Sequence, residues 1–274
     1  MTDTQLEKAN RFRTLHQGPN AFVIANAWDA GSARLLMGLG FSALATSSSA
    51  SAGTLGRRDG QVTREEALAQ ARAIVMATDL PVSADLENGF GDAPNTVAET
   101  IRLAAAAGLV GGSIEDATGN EEKPLYDFDF AVERVAAAVQ TARSLTFPFT
   151  LTARAENFLC GNPDLEDTIK RLQAFEKAGA DVLFAPGLPD LAAVRAVCAA
   201  ASKPVNFMVG IRGQSFTVAE LEAVGVRRIS LSTSLYRAAM SGLFEAAREV
   251  KDHGTFDYLD RILTTSQLNG WMKI

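Results

Sequence analysis

Val82-Ser83-Ala84-Asp85-Leu86-Glu87-Asn88-Gly89-Phe90-Gly91-Asp92, entered from Pro81, is the stretch from which the rest of the chain can be read. A short apolar run reads as a buried strand, and it stops in two carboxylates and a glycine-rich turn. Asp85 and Glu87 stand two apart, so on an extended strand both side chains leave the same face. Two hard oxygen donors converging at a strand end suit Mg²⁺ or Mn²⁺. Gly89 and Gly91 let the backbone turn sharply and leave room for a ligand. A solvated polar turn is the plainer reading of the same residues, and the other strand ends decide between the two.

Outward from this stretch the same unit repeats. Leu6, Ala9, Phe12 and Leu15 form one apolar stripe at helical spacing, which predicts a leading helix that plugs or flanks the fold. Strands are then expected at 21–25, 41–45, 81–86, 111–115, 149–153, 182–185, 204–208 and 228–231. Helices are expected at 29–39, 63–77, 94–107, 128–144, 164–178, 191–201, 217–224 and from after Ser234 to Val250. Thr63 and Glu66 form a capping box for the second of these. The hydroxyl-rich Thr46-Ser47-Ser48-Ser49-Ala50-Ser51 is read as the start of a loop through Gly60, and 256–268 as one more helix. Eight strand–helix units with short connections predict an α/β chain closed into a (β/α)₈ TIM barrel, with 1–274 as one domain. An open doubly wound sheet would bring a GxGxxG turn after its first strand, and Asn26-Ala27-Trp28-Asp29 has no glycine.

Composition removes several classes of function. The chain has 274 residues and a net charge of -6, which argues against a nucleic-acid or anionic-membrane surface. No apolar run reaches the ~18 residues of a membrane span. Met1-Thr2-Asp3-Thr4-Gln5 lacks a basic region leading into an apolar core, so a cytoplasmic protein is expected. With only Cys160 and Cys198, and only His16 and His253, neither a disulfide framework, a cysteine- or histidine-rich metal site nor a histidine triad is expected. None of the lysines (Lys8, Lys123, Lys170, Lys177, Lys203, Lys251, Lys273) ends an expected strand, which argues against Schiff-base chemistry.

In a barrel the C-terminal strand ends open on one face, and that face carries the site. Those ends supply Ser47 and Ser48, Asp85 and Glu87, Glu115 and Asp116, Arg154 and Glu156, Asn206, and Ser232, while the strand interiors read as apolar. Pooled carboxylates repel one another, and a divalent cation removes the repulsion. Arg154 then offers a bidentate fork to a substrate carboxylate or phosphonate, its plainer role being an ion pair with Glu156 or Glu115.

Taken together the chain resembles the isocitrate lyase and phosphoenolpyruvate mutase superfamily over nearly its whole length. The resemblance rests on Asn26-x-Trp28-Asp29-x-x-Ser32-Ala33-Arg34, Thr46-Ser47-Ser48, Gly56-x-x-Asp59, Asp85-x-Glu87-x-Gly89-x-Gly91, Ile114-Glu115-Asp116, Ala153-Arg154 and Asn206. It implies Mg²⁺ held by Asp85, with Glu87 and Glu115 reaching it directly or through water. Asp59 would orient the site, and Ser47, Ser48 and Arg154 would bind the carboxylate of a 2-oxo acid chelated to the metal. Trp28 and Asn206 would complete the substrate contacts, with Asp59, Glu115 and Arg154 in catalytic roles. Glu87 stands where relatives usually carry Asp.

The carbon–carbon lyases of that family carry a Lys-x-Cys-Gly-His loop after the fourth strand, and a His two residues before the Glu. Here the loop is Ala117-Thr118-Gly119-Asn120-Glu121-Glu122-Lys123-Pro124-Leu125, and Ser113 stands in place of the His. Isocitrate or methylisocitrate cleavage is therefore disfavoured. Cys160 lies after the fifth strand and reads as an inert thiol. The expected activity is a metal-dependent lyase or hydrolase acting on an oxaloacetate-type dicarboxylate or a phosphonopyruvate-type phosphonate through an enolate. A 2-oxo acid-binding protein without turnover is the alternative. The resemblance further implies a homo-oligomer, a dimer or tetramer, with C-terminal helical material from 235–268 exchanged between subunits and Trp271 seeking a partner surface.

Overall fold

Eight parallel strands close on themselves in sequence order, in a computed structural model that describes residues 3–214 and 216–272. Met1, Thr2 and Lys273, which the sequence reading used, lie outside the described residues. The strands are β1 Phe22–Asn26, β2 Leu44–Ala45, β3 Val82–Asp85, β4 Gly111–Glu115, β5 Thr150–Arg154, β6 Val182–Phe184, β7 Val205–Met208 and β8 Arg228–Ser230. The closing pair aligns Phe22 with Arg228 and Ile24 with Ser230. This is the expected (β/α)₈ barrel, with boundaries shifted by a residue or two. β2 is the exception: only two residues of the five expected pair as strand.

The helices are α1 Gln5–Gln17, α2 Ala30–Gly38, α3 Ser48–Thr54, α4 Arg64–Ala77, α5 Pro94–Ala106, α6 Phe128–Ser144, α7 Leu165–Lys177, α8 Leu191–Ala200, α9 Val218–Ala223, α10 Ser234–His253 and α11 Thr265–Trp271. The expected capping box on α4 is present, Thr63 accepting from the Glu66 N–H. Two expectations fail. The hydroxyl-rich run after β2 is not a loop, because Ser47 caps α3 by accepting from the Ala50 N–H, a role for which serine is well suited. The single helix expected over 256–268 is instead a 3₁₀ turn, Asp257–Arg261, then α11, for which Thr264 and Gln267 make a capping box.

Burial follows strand parity. Outward residues such as Leu44, Ala84, Ile114, Leu151 and Leu183 are buried beneath the helices and form the apolar sheath. The inward residues are another matter. Ser83, Ser113, Thr152, Asn206, Arg228 and Ser230 face the barrel interior or bond within it, contrary to the apolar interiors read from the sequence. The overall hydropathy of a strand averages its two faces, so a polar inward face does not stand out in it.

The N-terminal end of the barrel is closed by α1, which plugs the fold and does not merely flank it. Ala9 and Phe12 are fully buried and pack with Ile24, Ala43 and Val110. Gly111 makes room for this contact: a Cβ there would stand 2.9 Å from the Phe12 ring and 2.8 Å from the Thr150 carbonyl. From the same helix His16 turns inward, Nδ1 2.8 Å from the Phe12 carbonyl and Nε2 3.4 Å from Arg228 Nη1. Nδ1 therefore carries the proton and Nε2 accepts. Burial, reinforced by the Arg228 charge, pushes the imidazole down to about 3.

This sets a pH dependence. An unfolded histidine titrates near its ordinary value, so between that value and about 3 the unfolded chain holds the extra proton and stability falls as pH falls. Urea unfolding at pH 6.5 and 4.5 is expected to show about 2–3 kcal/mol more loss for the natural chain than for His16→Gln. Equal losses would mean that His16 is not held neutral.

Candidate active site

Asp85 ends β3, and its carboxylate is gripped from three sides. Oδ1 accepts from Arg154 Nη1 at 2.9 Å and from the Glu87 N–H at 3.3 Å, and Oδ2 accepts from the Ser48 N–H at 3.2 Å. Arg154, one strand beyond β4, sits at the centre of the acid cluster. Its Nη1 is also 3.0 Å from Glu115 Oε2, and its Nε is 2.8 Å from Glu156 Oε1. The guanidinium lies over the Phe184 ring, 5.1 Å from the centroid. The bidentate fork expected for a substrate is therefore spent on the chain's own acids. Among the described residues only Nη2 carries no hydrogen bond. In the sequence, Arg154 and Glu156 were separate strand-end residues, and their pairing makes the ion-pair reading the correct one for Nε and Nη1.

Glu87 does not share a strand face with Asp85. The chain leaves β3 after Asp85, and Glu87 adopts φ 48°, a left-handed conformation uncommon outside glycine. It is held there by its own backbone: its N–H bonds to Asp85 and its carbonyl accepts from the Glu115 N–H at 3.0 Å. Burial, with the charges of Asp85 and Asp59, pushes the Glu87 carboxyl up to about 7. Glu115 is pushed well above the ordinary carboxylate range, chiefly by burial, against the pull of Arg154. Asp59 is exposed as a residue, yet its carboxyl is also raised, mainly by desolvation, with Asp85 adding and a Ser48 hydrogen bond opposing.

The glycine-rich turn does not open a ligand space. A Cβ on Gly89, at φ 86°, would stand 3.0 Å from Val97 of α5, so the close approach is to a helix. Arg134 of α6 binds the turn from outside, donating to the carbonyls of Asn88, Gly91 and Asp92 and lying 4.0 Å from the Tyr126 ring centroid. Asp116 likewise turns away from the site: it is buried, bonded to the Glu156 N–H at 2.8 Å and to Arg171 at 3.0 Å.

A cavity of about 70 Å³ runs down the barrel axis from this cluster. Ser47, Asp85, Arg154, Asn206 and Ser232 line it, which brings together half of the predicted strand-end residues. Asn206 is engaged by its neighbours, donating to Ser230 Oγ at 3.0 Å and accepting from Arg228 Nε at 2.8 Å. Trp28 is not in this wall. It packs edge-to-face on Tyr236 of α10, ring centroids 5.5 Å apart, and its carbonyl accepts from Gln70, so in this chain it is an anchor for a helix. Ser83, Ser113, Ser230 and Arg228 line the same cavity and were not singled out from sequence as site residues. Parity held the signal. Ser83, Ser113, Thr152 and Ser230 each stand two residues before an already noticed end residue, and so on the same inward face.

The loop that departs from the lyase pattern is a closed turn. Ala117 pairs with Leu125, Thr118 Oγ1 donates to the Lys123 carbonyl, and Lys123 reaches Asp127 at 2.5 Å. Lys123 is thus an exposed, paired lysine. Cys160 Sγ lies 3.8 Å from the Pro124 carbonyl of this loop, and burial and surrounding acids push its thiol up to about 11. It is protonated at neutral pH and is no nucleophile.

The donors suit a hard cation in kind, though not as a closed cage. Among the described residues no group of three or more His, Cys, Asp or Glu side chains stands at metal-binding geometry. Mg²⁺ commonly takes one or two carboxylates and keeps several waters, so Asp85 with Glu87 nearby is a sufficient set. Crowded carboxyls pushed upward by burial, and further by each other's charge, are also the electrostatic condition that a divalent ion relieves.

A family model described as phosphoenolpyruvate phosphomutase matches residues 12–251. A crystal structure from Burkholderia cenocepacia J2315, assigned as a lyase/mutase without a named substrate, is 52% identical with a TM-score of 0.97, covering 98% of this chain and 97% of that one. An oxaloacetate decarboxylase of Chromohalobacter salexigens is 29% identical over 258 residues, 92% of this chain and 88% of its own. A 2-methylisocitrate lyase of Halalkalibacterium halodurans is 29% identical over 261 residues, 92% and 85% of the two chains. Overall identity does not choose between the last two, and the residues of the site have to.

Proposed function

The chain belongs to the phosphoenolpyruvate phosphomutase family within the isocitrate lyase superfamily, and from that premise we propose that it is a Mg²⁺-dependent lyase or hydrolase of a small, oxaloacetate-type 2-oxo acid. The observation that carries the reading is the cluster at the C-terminal strand ends: Asp85, Glu115 and Glu156 on one arginine, with the Glu87 carboxyl raised by burial and by its Asp85 and Asp59 neighbours, above a small cavity. Asp85 is the metal ligand, with Glu87 and Glu115 within reach. Bound Mg²⁺ (or Mn²⁺) would supply Lewis-acid stabilisation of the negative charge that develops on the 2-oxo oxygen. Ser47 Oγ accepts from Ala50, which leaves its hydroxyl proton free to donate to the substrate carboxylate. Arg154 presents Nη2 to the same group. Glu87, pushed up to about 7, can exchange a proton near neutrality, and Asp59, raised above the ordinary carboxylate value mainly by desolvation, stands beside it.

Loop 117–125 offers neither thiol nor imidazole, and its lysine is paired with Asp127. Decarboxylation needs no placed acid, because CO₂ departs and solvent can protonate the enolate. Oxaloacetate is therefore favoured over methylisocitrate, with phosphonopyruvate as the second candidate. Mg²⁺-loaded and chelated protein assayed on all three acids tests this. Oxaloacetate consumption lost on chelation is the expected result. Binding without consumption would make the chain a 2-oxo acid-binding protein instead.

The proposal includes a cytoplasmic homo-oligomer built from one barrel domain. Among the described residues no helix is long and apolar enough to cross a membrane. α10 has no buried residue over its 20 residues, yet it exposes Met240, Leu243, Phe244 and Val250. Its first turn is held by Tyr236 against Trp28 and by Arg237 on the Gly210 carbonyl, and no residue of the remainder is buried. An apolar face of this extent marks an interface. Light scattering should give a mass above the 29.1 kDa of one chain, and Phe244→Glu with Leu243→Glu should lower it to that of the monomer.

A further inference from the structure

Arg228 is the second guanidinium of the cavity, and it has no acid. It begins β8 on the inward face, is 5% exposed, and bonds only neutral acceptors: Asn206 Oδ1 at 2.8 Å, Thr152 Oγ1 at 3.0 Å and His16 Nε2 at 3.4 Å. Among the described residues no carboxylate lies within ion-pair distance of it. Arg154, by contrast, has three carboxylates on two of its nitrogens. An anion entering from the strand ends therefore meets an excess of negative charge near Arg154 and an unmatched positive charge at the floor.

Burying a charge without a counter-ion is costly, and neutral hydrogen bonds offset only part of the cost. Burial pushes the Arg228 guanidinium down to about 9, which still leaves it a cation at neutral pH. The cavity of about 70 Å³ between Arg228 and Asp85 has Ser83, Ser113 and Ser230 in its wall, with Ile24, Phe184 and Met208 as apolar neighbours. A single water needs roughly 10–15 Å³ on the same measure, so a carboxylate-sized group fits with room to spare.

We infer that Arg228 is the anion receptor of the barrel interior, binding a carboxylate-sized monoanion between its guanidinium and the serine-lined wall. Two sources share that chemistry: the far carboxylate of a dicarboxylate whose 2-oxo acid head sits at Asp85, or a separate small anion held beside the substrate. The first rests on the proposed function, while the second needs only the cavity.

Bromide reports on the site without turnover. Crystals of the natural chain soaked in sodium bromide are expected to show an anomalous peak against the Arg228 guanidinium. A peak displaced by oxaloacetate identifies the substrate's own carboxylate. A peak that persists with oxaloacetate bound identifies a separate anion. A map with no peak at Arg228 overturns the inference, whatever the variants do. In solution, Arg228→Gln that retains the natural circular dichroism should bind oxaloacetate about 10- to 100-fold more weakly if the source is the substrate, with pyruvate binding unchanged. A bromide peak in a chain that binds no 2-oxo acid would uphold the receptor and sink the proposed function. Mg²⁺-dependent turnover with an empty map would do the reverse.

Discussion

Replacing Asp85 by Asn is expected to lower turnover of oxaloacetate by about a thousandfold and to abolish Mg²⁺-linked uptake of 2-oxo acids, with little change in the melting temperature. The side chain keeps its shape, so the β3 end stays in place, and one oxygen remains to accept from Arg154 or from the Ser48 N–H. What disappears is the negative charge that the proposed cation needs. The substitution also removes a like charge from Glu87, which stands near 7 from burial first and then from Asp85 and Asp59. Glu87 should therefore ionise at a lower pH in the variant, which carbon-13 NMR of the carboxyl can follow. The three readouts separate the possibilities. Lost activity with an unshifted Glu87 would mean that Asp85 does not act through charge. Natural activity in Asp85→Asn would remove the site from this end of the barrel altogether.

The sequence displayed the barrel plainly because its outward strand faces and its helix stripes follow their periods without interruption. Phe12 and Ala9 announced a helix that plugs or flanks the fold, and of the two it plugs one end of the barrel. The site was legible as a set of residues but not as an arrangement. Asp85 and Glu87 looked like neighbours on one strand face, and a left-handed φ at Glu87 separates them. Arg154 could be a substrate fork or an ion-pair partner of Glu156 or Glu115 on sequence alone, and closure of the barrel brings both acids to the one guanidinium. Arg228 was illegible for a different reason. A lone arginine beside Arg227 at a strand start has the pattern of a solvated pair, and its contacts lie 212 residues away in His16 and 76 away in Thr152. Local pattern carries the period of an element, whereas the partner of a buried charge is set by long-range closure.

Arg154 decides stability as well as chemistry, and Arg154→Met shows the two together. Removing the one cation of a buried ion cluster costs about 3–5 kcal/mol, because the acids left behind keep their desolvation without a partner. Here the abandoned groups are Asp85, Glu115 and Glu156, with side chains between 5% and 18% exposed. The pH dependence has a definite sign. Burial already raises Glu115 and Glu156 above their unfolded values, so from the unfolded value upward the native state holds more protons than the unfolded one. Stability contributed by these groups therefore falls as pH rises, and without Arg154 the fall becomes steeper. Chemical denaturation should show Arg154→Met weaker than the natural chain by about 3–5 kcal/mol at pH 7.5, with much of the gap recovered at pH 5. Mg²⁺ at pH 7.5 should narrow the gap too, since a cation at Asp85 takes over part of the neutralisation. A gap that ignores both pH and Mg²⁺ would mean that Arg154 contributes by packing on Phe184, with its charge compensated by nothing that titrates.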